Sequence, residues 1–281
     1  MMHTRNNLKM QRRKPERWRF LLTAAIGLLA LGLWGLGANP ASADTGGKVE
    51  GKVTFKGNAP KPKEFVFSKF PNPNFCSKNS NKSEDGKVRL LTEVRVASGG
   101  GLQDAIVAVR DINDATWIKS YEGTKVFAEL CEWSDFTGVV VNKGHFIVEN
   151  RDADPDDPKS VAGVLHNPHA FEIKKPSALT IFNIGLAKKG DSLDKKITLR
   201  KVKAGSVVRL QCDQHEFMQA WFLPVTNPYF TKVKDDGSFE LSGIPAGKHK
   251  LVAWHPIAGR VEQEVTVKDG DSLKIDFEIK K

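Results

Sequence analysis

The chain has 281 residues and a formal net charge of +10 at pH 7, most of it at one end. Seven Lys/Arg and one Glu (Glu16) lie in the first 43 residues; without them 36 basic residues face 32 acidic ones, a net +4 over 238 residues. That balance, with no basic stripe interleaved with aromatics, argues against a nucleic-acid partner, and the absence of any C-x-x-C-H excludes a covalent c-type haem.

The basic leader runs into an uncharged stretch from Phe20 to Ala38, then Asn39-Pro40 and Ala41-Ser42-Ala43. A basic segment, an apolar core and an A-x-A site describe a secretory signal peptide over residues 1–43. The apolar run of 19 residues also suffices to span a bilayer, so an uncleaved anchor is the rival reading. Arg12-Arg13 is followed by Lys14-Pro15-Glu16, which lacks the hydrophobic pair of a twin-arginine signal. The expectation is a periplasmic or otherwise exported protein, tethered to the inner membrane only if this segment stays uncleaved.

Strand signals dominate the remainder. In the N-terminal β region, 44–123, Val49 to Phe55 alternates and Lys56-Gly57-Asn58-Ala59-Pro60 breaks it. Residues 68–87, with Pro71 and Pro73, read as a long loop around Cys76. Ala105 to Val109 is a further strand. Within 124–226, strands are expected at Lys125 to Glu129, Val139 to Val141, Phe146 to Glu149, Phe171 to Ile173, Leu179 to Phe182, Lys196 to Leu199, Val207 to Cys212 and Gln219 to Val225. Asp152 to Lys159, with four aspartates and two prolines, reads as a solvated loop; it lacks the Gly and terminal Glu of an EF-hand. In 227–281, alternation recurs at Ser238 to Leu241, Lys250 to Trp254, Val261 to Val267 and Leu273 to Ile279. Short strands at this spacing and no long amphipathic helix predict an all-β protein built of sandwiches.

The chemistry concentrates in Cys212-Asp213-Gln214-His215-Glu216-Phe217-Met218, where a thiolate, an imidazole and a thioether stand at three-residue intervals. A trigonal His2Cys set with a weak axial Met suits copper in one-electron transfer. The second imidazole is offered by His166-Asn167-Pro168-His169, beginning 46 residues upstream of the Cys. If Cys212 binds metal, Cys76 and Cys131 remain as a candidate disulfide in an oxidising compartment, against the alternative of two free buried thiols.

Together with Ile147-Val148-Glu149-Asn150-Arg151-Asp152, these motifs resemble the cupredoxins, the blue-copper family of amicyanin and plastocyanin type, over residues 124–226. The resemblance implies a Greek-key sandwich holding one type 1 copper on His166, Cys212, His215 and Met218. Asn167 would tie the His loop to the Cys loop, and His169 is the alternative upstream ligand, because Pro168-His169 is also similar to the plastocyanin Pro-His. The fourteen residues from Asp152 to His166 exceed the few found in relatives, which puts the approach to the metal in question. Asp235 to Leu241, Gly243 to Gly247, Leu251 to Trp254 and, at the front, Val49 to Gly57 resemble a carboxypeptidase-regulatory-like, transthyretin-like sandwich. Whether the two chain ends form one module or two stays open at this point.

The expected function is that of an exported one-electron carrier, not an enzyme, exchanging electrons with a redox protein such as a cytochrome, dehydrogenase or oxidase. A copper-handling protein without electron transfer, and a structural adhesion-type β-protein with a degenerate site, are the alternatives. Zinc is disfavoured by Met218, because structural zinc takes Cys, His or carboxylate ligands. Multicopper chemistry is disfavoured because six histidines after the leader contain no H-x-H.

Overall fold

The computed structural model describes residues 46–281, so the signal-peptide and anchor readings lie outside the described residues. Its strands form two sandwiches, one inserted into the other. Gly47–Lys56 alternates and buries Val49, Val53 and Phe55 on one face, as a strand with one dry side must. It pairs antiparallel with Ser238–Ile244 and parallel with Ser272–Lys274 and Phe277–Lys280. The facing sheet runs Phe230–Lys232, Ile106–Val109, Gly247–His255, Gly259–Val267. The two ends of the described chain therefore share one sandwich, answering what alternation alone left open.

The inserted sandwich places Ser177–Asn183, Pro168–Lys174, Val207–Cys212, Gln219–Pro224 and Thr137–Val140 in one sheet. The other holds Ser192–Lys196, His145–Asn150, Thr124–Glu129 and Glu132–Trp133. Between them Phe146 meets Phe182 and Phe222 edge-on at 5.7 and 5.0 Å, a favoured aromatic geometry. The two sandwiches share a small core of their own, in which Ile106, Val252 and Trp254 pack with Val141, Leu223 and Val225.

Three local expectations are corrected, and one pairing is added. The strand expected at Lys196 to Leu199 lies at Ser192–Lys196, because the Ile197 and Leu199 N–H groups bond instead to Gly144 O and Asn142 Oδ1. Leu273 to Ile279 is two strands, divided where the Asp276 carboxylate takes the Lys52 N–H at 2.8 Å. Lys63–Val66 and Val88–Leu91 pair as a hairpin that the Pro/Ser/Asn-rich sequence around it concealed. Asp152 to Lys159 is not wholly solvated: Asp152 and Asp154 are buried, because each carboxylate has a protein partner.

Residues 67–87, between the hairpin strands, fold over one end of the inserted sandwich. Phe67, Phe75 and Cys76 enter its core. Asn72 Nδ2 donates to Ser160 Oγ at 2.6 Å, and Lys78 pairs with Asp154 and Asp156. This cap thus docks on the Asp152–His166 stretch.

Candidate metal centre

Cys212 closes the strand Val207–Cys212, and its loop folds tightly back: Cys212 N–H donates to Met218 O, Met218 N–H to His215 O. In the neighbouring strand Pro168 stands opposite Cys212, which brings His166 and Asn167 to the same end of the sheet. Asn167 O accepts from Asp213 N–H at 3.0 Å, and Asn167 N–H points at Cys212 Sγ at 3.3 Å. His166 is itself fixed by paired backbone hydrogen bonds to Leu186.

The outcome is a compact donor set. His166 Nδ1 lies 3.8 Å and His215 Nδ1 3.7 Å from Cys212 Sγ, and all three donor atoms lie within 4.8 Å of one another. With metal–sulfur and metal–nitrogen bonds of about 2.3 and 2.05 Å spread about 120° apart, the S···N edge is about 3.8 Å, so the residues fit a trigonally held ion. His166 and His215 are wholly buried, and Cys212 and Met218 are each 1% exposed in one core cluster.

Each imidazole is oriented through its outer nitrogen. His166 Nε2 donates to Asp152 Oδ2 at 2.8 Å, and His215 Nε2 donates to Pro71 O at 3.1 Å. Both rings therefore present Nδ1 as the ligand atom, the arrangement by which outer partners fix tautomer and orientation. Asp152 also accepts the N–H groups of Leu130 and Cys131 at 2.7 and 2.9 Å. These two residues form the turn before Glu132–Trp133 with φ of +49° and +55°, uncommon for side-chain-bearing residues.

Electrostatics favours a metal-ready state. Burial alone would raise the Cys212 thiol, but the hydrogen bonds and charges of His166 and His215 outweigh it and hold the thiol well below its usual range. Burial would lower His166, yet Asp152 and then Cys212 reverse this and raise it. Burial, the largest single influence, pushes Asp152 up, but the hydrogen bonds from His166, Cys131 and Leu130 together with the charge of His166 outweigh it and hold the carboxyl below its usual range.

Of the residues expected at the site, His166, Cys212 and His215 come together, Met218 lies buried in the same loop, and Asn167 joins the two loops. His169 faces elsewhere, bonded to Asp213 and Thr180 and stacked on Phe171 with ring centroids 3.9 Å apart. His145 pairs with Asp194, His249 with Asp111, and buried His255 accepts the Ile257 and Ala258 N–H groups. Cys76 and Cys131 form a disulfide with Cα atoms 5.3 Å apart. Sequence reasoning placed Asp152 at the acidic end of the Ile147-to-Asp152 motif without giving it a role at the site, and missed Pro71, which acts through a carbonyl that no side chain announces.

No protein-family model and no curated protein matches the chain. Among solved structures, the copper-containing nitrite reductase of Thermus scotoductus SA-01 matches over 37% of this chain at 10% identity and a TM-score of 0.28; the match spans only 23% of the reductase. A single-residue mutant of amicyanin, in its reduced Cu(I) form at pH 4, matches over 44% of this chain and 100% of its own, at 14% identity and a TM-score of 0.27. A purple cupredoxin from Nitrosopumilus maritimus matches over 36% and 99%, at 13% identity and 0.26. These likenesses are partial, and the chemistry of the site rests on its donor atoms.

Proposed function

We propose that the chain is a type 1 copper protein that carries single electrons between exported redox partners such as a cytochrome, dehydrogenase or oxidase. The observation that carries this reading is the convergence of His166 Nδ1 and His215 Nδ1 on Cys212 Sγ at 3.8 and 3.7 Å, with Met218 in the same closed loop. Copper, when bound, supplies the one-electron couple, since a thiolate, two imidazoles and a thioether suit both its oxidation states. Asp152 and Pro71 hold the two rings in place, and the Asn167 N–H stabilises charge on the sulfur. Phe217 and the cap keep water out. A donor set pinned on every side favours little rearrangement on electron exchange, which supports a carrier over a copper-handling role that needs ligand exchange. The outer sandwich, with its regulatory-like sequence, serves in this reading as the support.

The test is redox cycling of the copper-loaded protein with a one-electron reductant and oxidant. A carrier returns its full absorbance over repeated cycles without releasing copper. Loss of copper to a chelator on each reduction would point to handling instead.

A further inference from the structure

The strand Val207–Cys212 ends at the donor set, and a cleft opens at its other end, about 17 Å away at the usual strand rise. The cleft holds about 450 Å³ and lies where the two sandwiches meet. Its apolar wall takes Ile173, Val207 and Trp221 from the inserted sandwich and Trp254, Pro256 and Ile257 from the outer one. Val207, Trp221 and Trp254 also pack into the core that the sandwiches share, which fixes the floor.

Around this floor stand Lys174, Lys175, Arg260 and Lys281, and no Asp or Glu side chain lines the cleft. Lys174 and Lys175, in the turn between two strands, are exposed and make no ion pair among the described residues. Arg260 meets Glu262 at 3.6 Å, with both side chains exposed, and Lys281 Nζ donates to Ile257 O at 3.2 Å. Arg260 reaches across Gly205, whose φ is +79°; a Cβ there would lie 2.7 Å from Arg260 Nη2. Glycine thus leaves the guanidinium room at the rim. The volume is that of a small-molecule site, and an apolar floor with a few convergent charges is the usual lining of one.

We propose that this cleft binds an aromatic carboxylate, its ring against Trp221 and Trp254 and its charge among Lys174, Lys175 and Arg260. The ring covers apolar surface that water now meets, and the carboxylate accepts charge-assisted hydrogen bonds from the cations. The site is built from both sandwiches, so the ligand bridges them. It shares no residue with the donor set and does not depend on the carrier reading.

The test titrates metal-free protein with naphthoate while two-dimensional NMR follows the indole N–H signals of Trp221 and Trp254. Both are expected to shift and to saturate at one naphthoate per chain. Naphthalene methanol, which has the ring without the charge, and acetate, which has the charge without the ring, are expected to bind at least about tenfold more weakly, as is naphthoate to Arg260→Gln or to the double variant Lys174→Gln/Lys175→Gln. These side chains are at the surface, so the remaining signals report that the fold is kept. Naphthoate that moves neither indole overturns the proposal. So does equal binding of the neutral alcohol, or binding that both sets of substitutions leave unchanged. The copper spectra are recorded separately, so either reading can fail alone.

Discussion

The Asp152 carboxylate accepts a hydrogen bond from His166 Nε2 at 2.8 Å and another from the backbone N–H of Cys131 at 2.9 Å. One buried side chain thus joins an imidazole of the donor set to the turn that carries half of the disulfide. Asp152→Asn removes the charge and sets an amide N–H against one of these donors. Copper affinity is expected to fall 10–100-fold, the usual cost of losing such an outer partner. Competition with a calibrated chelator measures it, and wild-type affinity would show that Asp152 does not orient His166.

The disulfide closes a loop with a sequence separation of 55 residues. Chain-entropy reasoning assigns such a loop about 4 kcal/mol of stability. Replacing both cysteines with alanine is therefore expected to lower the denaturant midpoint by a corresponding amount. The Cu(II) absorbance is expected to persist, because neither sulfur is among its ligands, while chelators strip the metal faster once the cap is untethered.

Phe217 lies between two candidate ligands in sequence and meets Phe65, Phe67 and Phe70 with ring centroids 5.9, 6.0 and 5.3 Å away. The Arg89 guanidinium sits over it at 5.6 Å. Phe217→Ala would empty the centre of this cluster, at a cost of about 3–5 kcal/mol for a buried aromatic. Chemical unfolding of the metal-free protein checks the figure, and a loss under about 1 kcal/mol, well below that range, would mean that the cap does not depend on this ring.

His255 gives a pH signature away from the metal. Burial, the largest influence, lowers its pKa from 6.5 to about 4 despite the opposing charge of Asp104. The unfolded chain therefore binds the proton more readily, and the contribution of the neutral ring is full above pH 6.5 and lost as pH falls towards 4. At about 1.4 kcal/mol per unit, that loss approaches roughly 3 kcal/mol. His255→Asn keeps an acceptor for the Ile257 and Ala258 N–H groups but cannot take up the proton. Its stability is expected to fall less steeply between pH 6.5 and 4 than that of the wild type. Equal slopes would refute the assignment.

The Cys212-to-Met218 loop was legible because three ligand types share one short segment whose spacing is visible along the chain. His166 was legible through its motif, and the geometry explains why it, and not His169, turns to the sulfur: the strand begins at Pro168, leaving His166 before it and His169 within it, paired to Asp213. What escaped was non-local. Asp152 lay at the head of an acidic run that elsewhere would be solvent-facing, and only the folded chain brings His166 and the Leu130–Cys131 turn to it. The cap escaped because its aromatic residues are scattered among Pro, Ser and Asn and find their partner, Phe217, some 150 residues away. The sandwich shared by the chain ends is likewise a matter of pairing, as between Val53 and Phe277, which alternation cannot specify.

The central claim is that His166, Cys212 and His215 hold one copper ion trigonally. It is tested most directly by adding Cu(II) to the disulfide-bonded protein and recording its visible and electron-paramagnetic-resonance spectra. The expected result is an intense blue thiolate-to-copper charge-transfer band that saturates at one Cu(II) per chain and is abolished by Cys212→Ser. A colourless protein with the spectra of ordinary square-planar Cu(II) would contradict it.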